Sequence, residues 1–254
     1  MNLYKVSVIS LAISTLMLTG TAHAKVFKQA TSFDTGYRFQ IGDRSEASNQ
    51  IDFFSMGIKH ITLADWGSIK VKGKVENIFQ LTETDPRGND ANVAYKTFAD
   101  AYYNLSNSGI QAWWTEFSLA NQKVSEFSNG LGVAYPVDLG GVKLKAGVAA
   151  SYTVAHSPSK LDSDGDGRFN GYGFTTTHLE ASFSINKKLI AFALWDARWD
   201  RDEDFKAIFN WDENSGHHVL TGLKYKYSKT MSMTAIYHYM VDWGAMTKMG
   251  NPLI

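Results

Sequence analysis

Residues 161–173 read LDSDGDGRFNGYG. Asp162, Asp164 and Asp166 alternate, and Gly167 follows them. That is the first half of a calcium loop, which wants carboxylates at positions 1, 3 and 5 and a glycine at 6. The bidentate Glu required at position 12 is replaced by Gly173, and no helical pattern flanks the stretch. A standard EF-hand is therefore excluded. Two readings stay open: a solvated acidic loop, or a weak calcium site with an incomplete ligand set that Asn170 or backbone carbonyls could complete. No other cofactor is expected. A second group of acid–base residues comprises His217, His218, Asp200, Asp202 and Asp204. Hydrolysis would need a nucleophile and base, or a paired acid and base, in fixed relation. No Ser–His spacing and no paired-acid signal accompanies these residues, so the chain is not expected to be an enzyme. The absence of cysteine excludes disulfides and cysteine-ligated metals.

The elements that must hold these residues begin with an export signal. MNLYKVSVISLAISTLMLTGTAHA has Lys5 near its start, an apolar run from Val6 to Leu18, and Ala-His-Ala at 22–24. This pattern predicts a secretory signal peptide over 1–24 and a single mature domain over 25–254. Beyond it there is no apolar run of the ~18 residues that a membrane helix needs. Formal charge is balanced, and no basic patch points to nucleic acid. Aromatics make up 13% of the chain and prolines number only four, which suits a large β-domain.

Periodicity supports that class. In IKVKGKVENIF at 69–79, Ile69, Val71, Gly73 and Val75 share one face, and Lys70, Lys72, Lys74 and Glu76 the other. The same period of two runs through 142–154, 177–185, 219–227 and 231–241, as strands require. Strands are predicted near 33–41, 51–62, 68–81, 94–105, 110–118, 129–137, 142–154, 171–185, 189–199, 217–227 and 231–242. They are long enough for the roughly 9–11 residues of a bilayer-crossing strand. Tyr and Trp recur near their ends, like the aromatic girdles of outer-membrane barrels. Long connections (42–50, 82–93, 119–128, 155–170, 200–216) alternate with short ones, as extracellular loops alternate with periplasmic turns.

The expected fold is thus all-β: an antiparallel transmembrane β-barrel of about 12 strands, with eleven recognisable. Bacterial single-chain barrels have even strand numbers. The last strand is therefore expected to be missing by truncation. Reading 205–211 as a twelfth strand is the less favoured option, because it breaks the loop alternation. Strand parity points Arg38, Lys70, Lys72, Lys74, Glu76, Asp100, Tyr102, Lys143, Lys145, His178, Glu180 and His238 into a narrow lumen. Such mixed charges and aromatics could orient and stack small polar ring compounds.

GYRFQIG (36–42), WWTEFSLANQ (113–122), NGLGV (129–133), FNGYGFTTTHLEASFSI (169–185) and MTAIYHYMVDWG (233–244) resemble the nucleoside-specific channel-forming (Tsx-like) proteins of Gram-negative outer membranes. The resemblance is diffuse, covers most of 33–244, and rests on no single diagnostic motif. It implies a twelve-stranded barrel with a narrow lumen, lined by ionisable and aromatic residues, through which nucleosides diffuse. It also implies an outer-membrane location with lipid around a monomer. Family members normally end in a strand closing on Phe, and this chain departs from that pattern. The alternative is a structural or adhesive small barrel with no substrate-specific pore.

Overall fold

A computed structural model describes residues 25–38, 53–76, 93–105, 108–121, 124–157, 166–209 and 211–241. Eleven strands follow one another: β1 (Val26–Arg38), β2 (Phe53–Ala64), β3 (Gly67–Glu76), β4 (Ala94–Asn104), β5 (Gln111–Ala120), β6 (Ser125–Leu139), β7 (Val142–His156), β8 (Arg168–Ser184), β9 (Leu189–Trp199), β10 (Gly216–Lys226) and β11 (Ser232–Val241). One helix, α1 (Glu203–Phe209), interrupts the connection from β9 to β10. Each strand pairs antiparallel with its sequence neighbour, in the order β1 to β11. The sheet curls on itself. Lys70 on β3 meets Glu180 on β8, five strands away, at 3.1 Å. Contact at that separation defines a concave face.

The alternation seen in the sequence becomes two chemically distinct faces. Phe33, Met56, Ile58, Val71, Leu131, Val148, Leu179, Leu223 and Met233 point from the convex face and stand exposed. Leu131 is 70% exposed and Phe33 is 81% exposed. Tyr37, Tyr95, Tyr103, Tyr135, Tyr152, Tyr172, Tyr225 and Tyr237 join them. An apolar surface of this extent around a sheet is a cost in water and the normal coat of a strand in lipid.

Turn chemistry explains the tight end. Gly140 and Gly141 join β6 to β7 with φ of 65° and 117°. A two-residue turn with positive φ at both positions matches the strand twist and favours glycine. Asp138 Oδ1 accepts the Gly141 N–H at 3.3 Å. At Gly67, where φ is 145°, a Cβ would come 1.8 Å from the Tyr102 carbonyl oxygen, so no other residue fits.

Several boundaries differ from those expected. β1 begins at Val26 rather than near 33, pairing through to Ala64 of β2. The connection expected to be long at 119–128 shrinks to 121–124, because β5 runs to Ala120 and β6 starts at Ser125. Glu126 and Ser128 look like loop residues, but they sit on the polar concave face, where a strand tolerates them. Among the described residues of 205–211 there is no strand. α1 covers most of them, and Asp202 caps it by accepting the Asp204 N–H at 2.9 Å. The chain after β11, where a last strand is expected to be missing, the signal peptide over 1–24, and Asp162 and Asp164 all lie outside the described residues.

The second half of LDSDGDGRFNGYG is strand rather than loop. Arg168–Gly173 begins β8, and Asp166 Oδ1 accepts the Arg168 N–H at 2.8 Å. Ser151 pairs with Phe174 and Tyr152 with Tyr172, so Gly173 is the extra residue of a bulge. A Cβ there would lie 2.5 Å from Thr153 Oγ1. The bulge also frees the Gly173 carbonyl to accept the Asp202 N–H at 3.1 Å, which ties β8 to the start of α1. The glycine that fails as a calcium ligand therefore works as a hinge in the sheet.

Candidate functional site

Register places the twelve expected lumen residues on the concave face. Along β3, Lys70, Lys72 and Lys74 face Asp100, Phe98 and Lys96 of β4. Across β7 and β8, Lys143 and Lys145 oppose Ser182 and Glu180. His178 pairs with Asp196, and His238 with Leu220. Arg38 lies at the loop end of β1, opposite Phe53.

The centre of that face is an aromatic shelf packed beneath its neighbours: Tyr102 is 0% and Trp113 3% exposed. Tyr102 and Trp113 occupy facing positions on β4 and β5. Their rings are stacked, with centroids 6.1 Å apart and planes 3° from parallel. Small residues make room for Trp113. It pairs with Gly132 of β6, and a Cβ on Gly147 of β7 would strike its ring at 2.9 Å. Asp100 Oδ1 accepts the Trp113 Nε1–H at 3.0 Å and fixes the indole. Lys145 Nζ lies 3.5 Å from the Tyr102 centroid, a cation–π contact. The His178 ring leans on Trp113 at 5.5 Å.

Ionic groups surround the shelf. Asp196 joins two histidines: its Oδ1 is 2.6 Å from His178 Nδ1, and its Oδ2 is 3.4 Å from His218 Nδ1. His238 stands edge-on to His218, with centroids 4.7 Å apart. Toward the loop end Glu76 bridges Lys74 at 2.9 Å and Lys96 at 2.6 Å. Lys72 lies 3.6 Å from Asp34.

The loop end is closed on one side by a dry cluster. Phe205, Ile208 and Phe209 of α1, with Trp211, pack against Leu119, Val124, Ala155, Phe169 and Phe174. Under them Arg198 Nη2 meets Glu126 Oε1 at 2.7 Å, with both side chains fully buried. The Arg198 guanidinium lies 4.2 Å from the Phe174 centroid. A buried pair of this kind needs such close partners to offset lost hydration.

Sequence reasoning missed Trp113, Asp196, Arg198, Glu126 and His218 as concave-face residues. Parity extended through 113–119 and 190–198 selects the first three. Trp113 was hidden by its neighbour Trp114, which does point outward. The residues weighed for hydrolysis separate. His217 turns outward between Trp195 and Trp199, while His218 turns inward to Asp196. Adjacent strand residues face opposite sides, so they cannot act together. Asp202 is occupied as a helix cap. Among the described residues, no group of three or more His, Asp or Glu could hold a metal ion. Of the acidic triplet, only Asp166 falls within them.

An up-and-down antiparallel sheet, curled to put polar groups inside and apolar groups outside, is the construction of an outer-membrane β-barrel. No helix among the described residues is long and apolar enough to cross a membrane. The chain belongs to the family of nucleoside-specific channel-forming proteins, Tsx, whose family model matches residues 41–250. No curated protein and no solved structure matches it.

Proposed function

We propose that this chain is a monomeric outer-membrane channel through which nucleosides diffuse, exported by the signal peptide over 1–24. The observation that carries this reading is the polar concave face, where Lys70, Glu180, Lys145 and Asp100 lie around the packed Tyr102–Trp113 pair. A nucleoside has polar base edges and ribose hydroxyls. These carboxylate and ammonium groups offer acceptors and donors to them. Each contact is weak enough to release the solute, as conduction requires. Family membership supports the same solute class.

Transport rather than chemistry is also what the inward residues support. His218 is engaged by Asp196 and Lys74 by Glu76, and the rim acids cap or face solvent. The test is solute flux. Proteoliposomes carrying the full chain should swell faster in adenosine or thymidine than in a hexose of similar size. Equal rates for nucleosides and sugars would refute nucleoside selectivity, and no swelling in either would refute a channel.

A further inference from the structure

The lysines and arginines of the eleven strands fall on the concave face, with one exception. Arg168 opens β8 at its loop end and stands exposed. Its neighbour Phe169 turns inward to Phe205, so Arg168 points outward. His156 of β7 lies directly opposite and shares that face. Asp166, just before the strand, accepts the Arg168 backbone N–H at 2.8 Å. No carboxylate of β7, β8, β9 or β10 points outward, because Glu180 and Asp196 face the lumen.

Below this pair, along the same wall, lies a belt of rings and hydroxyls. Tyr152 and Tyr172 oppose each other across β7 and β8, and both are exposed. The Tyr152 hydroxyl donates to Asn170 Oδ1, and the Tyr172 hydroxyl meets Thr175 Oγ1 at 2.7 Å. Thr175 faces Trp199 of β9, whose Nε1–H donates to Thr177 Oγ1 at 2.9 Å. Trp195, Trp199 and His217 pack as one group, with centroids 5.1 to 6.4 Å apart. The belt thus spans four neighbouring strands.

We propose that Arg168 and His156 bind the phosphate of a glycolipid headgroup in the leaflet at the loop end, and that the belt below them carries its sugar. An outward arginine is costly at the middle of a barrel wall and nearly free at the interface, so Arg168 marks the headgroup level. There its guanidinium meets phosphate with a fork of donors. A sugar has an apolar face for the indole rings and hydroxyls for the tyrosine and threonine hydroxyls. Charge decides the occupant: a cation on an outward face, over four strands that turn no acid outward, selects an anionic lipid. The site lies on the outside of the wall and does not depend on which solute crosses the lumen.

The test titrates the full chain in detergent and reads bound lipid by native mass spectrometry. The probes are a bisphosphorylated diglucosamine lipid (lipid A), its dephosphorylated form, phosphatidylglycerol and inorganic phosphate. The bisphosphorylated lipid should bind about tenfold or more tighter than the dephosphorylated one, the worth of a charge-assisted hydrogen bond. R168Q should remove that advantage. W199A should bring the glycolipid to parity with phosphatidylglycerol and leave phosphatidylglycerol binding unmoved. Y225F, at the opposite end of the same outward wall, should change nothing. Equal binding with and without phosphate, or an unchanged ratio in R168Q, overturns the proposal. Phosphatidylglycerol binding as tightly as the glycolipid in the parent overturns the sugar subsite and with it the glycolipid assignment. Displacement of the lipid by inorganic phosphate at equal concentration would mean a site for a free anion and also overturns it. Should R168Q fail to fold, R168K, which keeps the charge and loses the fork, must lower the phosphate advantage by a smaller factor. Its failure to do so refutes the site.

Discussion

Trp113 is packed into the floor of the concave face, 3% exposed, with the His178 ring against it. Its ring is fixed on three sides, by Tyr102, by the Asp100 carboxylate and by the backbone space over Gly147. Replacing it with Ala leaves a cavity beneath Asp100 and His178. W113A should lower the urea midpoint of the folded barrel by the equivalent of about 3–5 kcal/mol and weaken nucleoside block with it. W113F should lose less of both, because most of the volume survives. Equilibrium unfolding and titration of single-channel current with adenosine read the two effects. Glu126 works differently. Its removal takes from the buried Arg198 one charge-assisted hydrogen bond, worth about 1.5–3 kcal/mol. E126A should lower the urea midpoint of the folded barrel, and E126Q, which keeps an acceptor, should lower it less.

At the scale of the element, α1 explains how one long connection becomes structure. Asp202 caps it, the Gly173 bulge anchors it, and three apolar side chains bind it to β5, β7 and β8. F205A removes a fully buried ring that touches Phe169, Phe174, Phe209 and Trp211. A loss of about 3–5 kcal/mol from that cluster follows. It should loosen the cap and raise single-channel conductance while W113 remains in place; unchanged conductance would mean that α1 does not narrow the path. D202A should do the same more weakly, by about 1 kcal/mol. This helix was not legible in the sequence. EDFKAIF is too short to show a period, and its stability comes from tertiary packing rather than propensity. The strands were legible because alternation such as Lys70, Lys72, Lys74 against Ile69, Val71, Val75 repeats over long stretches. Their ends were not. Ser125–Ser128 reads as a loop only if polar residues are assumed to avoid strands, and a polar concave face removes that rule. The ionic partners were hidden for another reason. Lys70–Glu180 and Arg198–Glu126 join residues far apart in sequence, and only curvature brings them together.

For the whole molecule, the convex face decides where the protein can live. Leu131 sits near the middle of β6 and points outward. A charge there should face hydrocarbon. L131R should cost about 2–4 kcal/mol in lipid, the penalty for Arg at the midplane of a barrel wall. Reversible unfolding in phospholipid vesicles measures it. A neutral L131R would mean that this face meets water or another protein. β1 and β11 bound the sheet, and among the described residues neither pairs with the other. Strand edges in hydrocarbon must be satisfied. The described sheet is therefore a wall, and its two edges mark where closure has to occur.

The central proposal is that a nucleoside is recognised on the polar concave face while it crosses. The most direct measurement is the current through single inserted channels as adenosine is titrated on the loop side. Saturable block is predicted, reversed by washing, absent with ribose or glucose at equal concentration, and weakened by W113A. A current that adenosine leaves unchanged, or that sugars block equally well, would contradict the account.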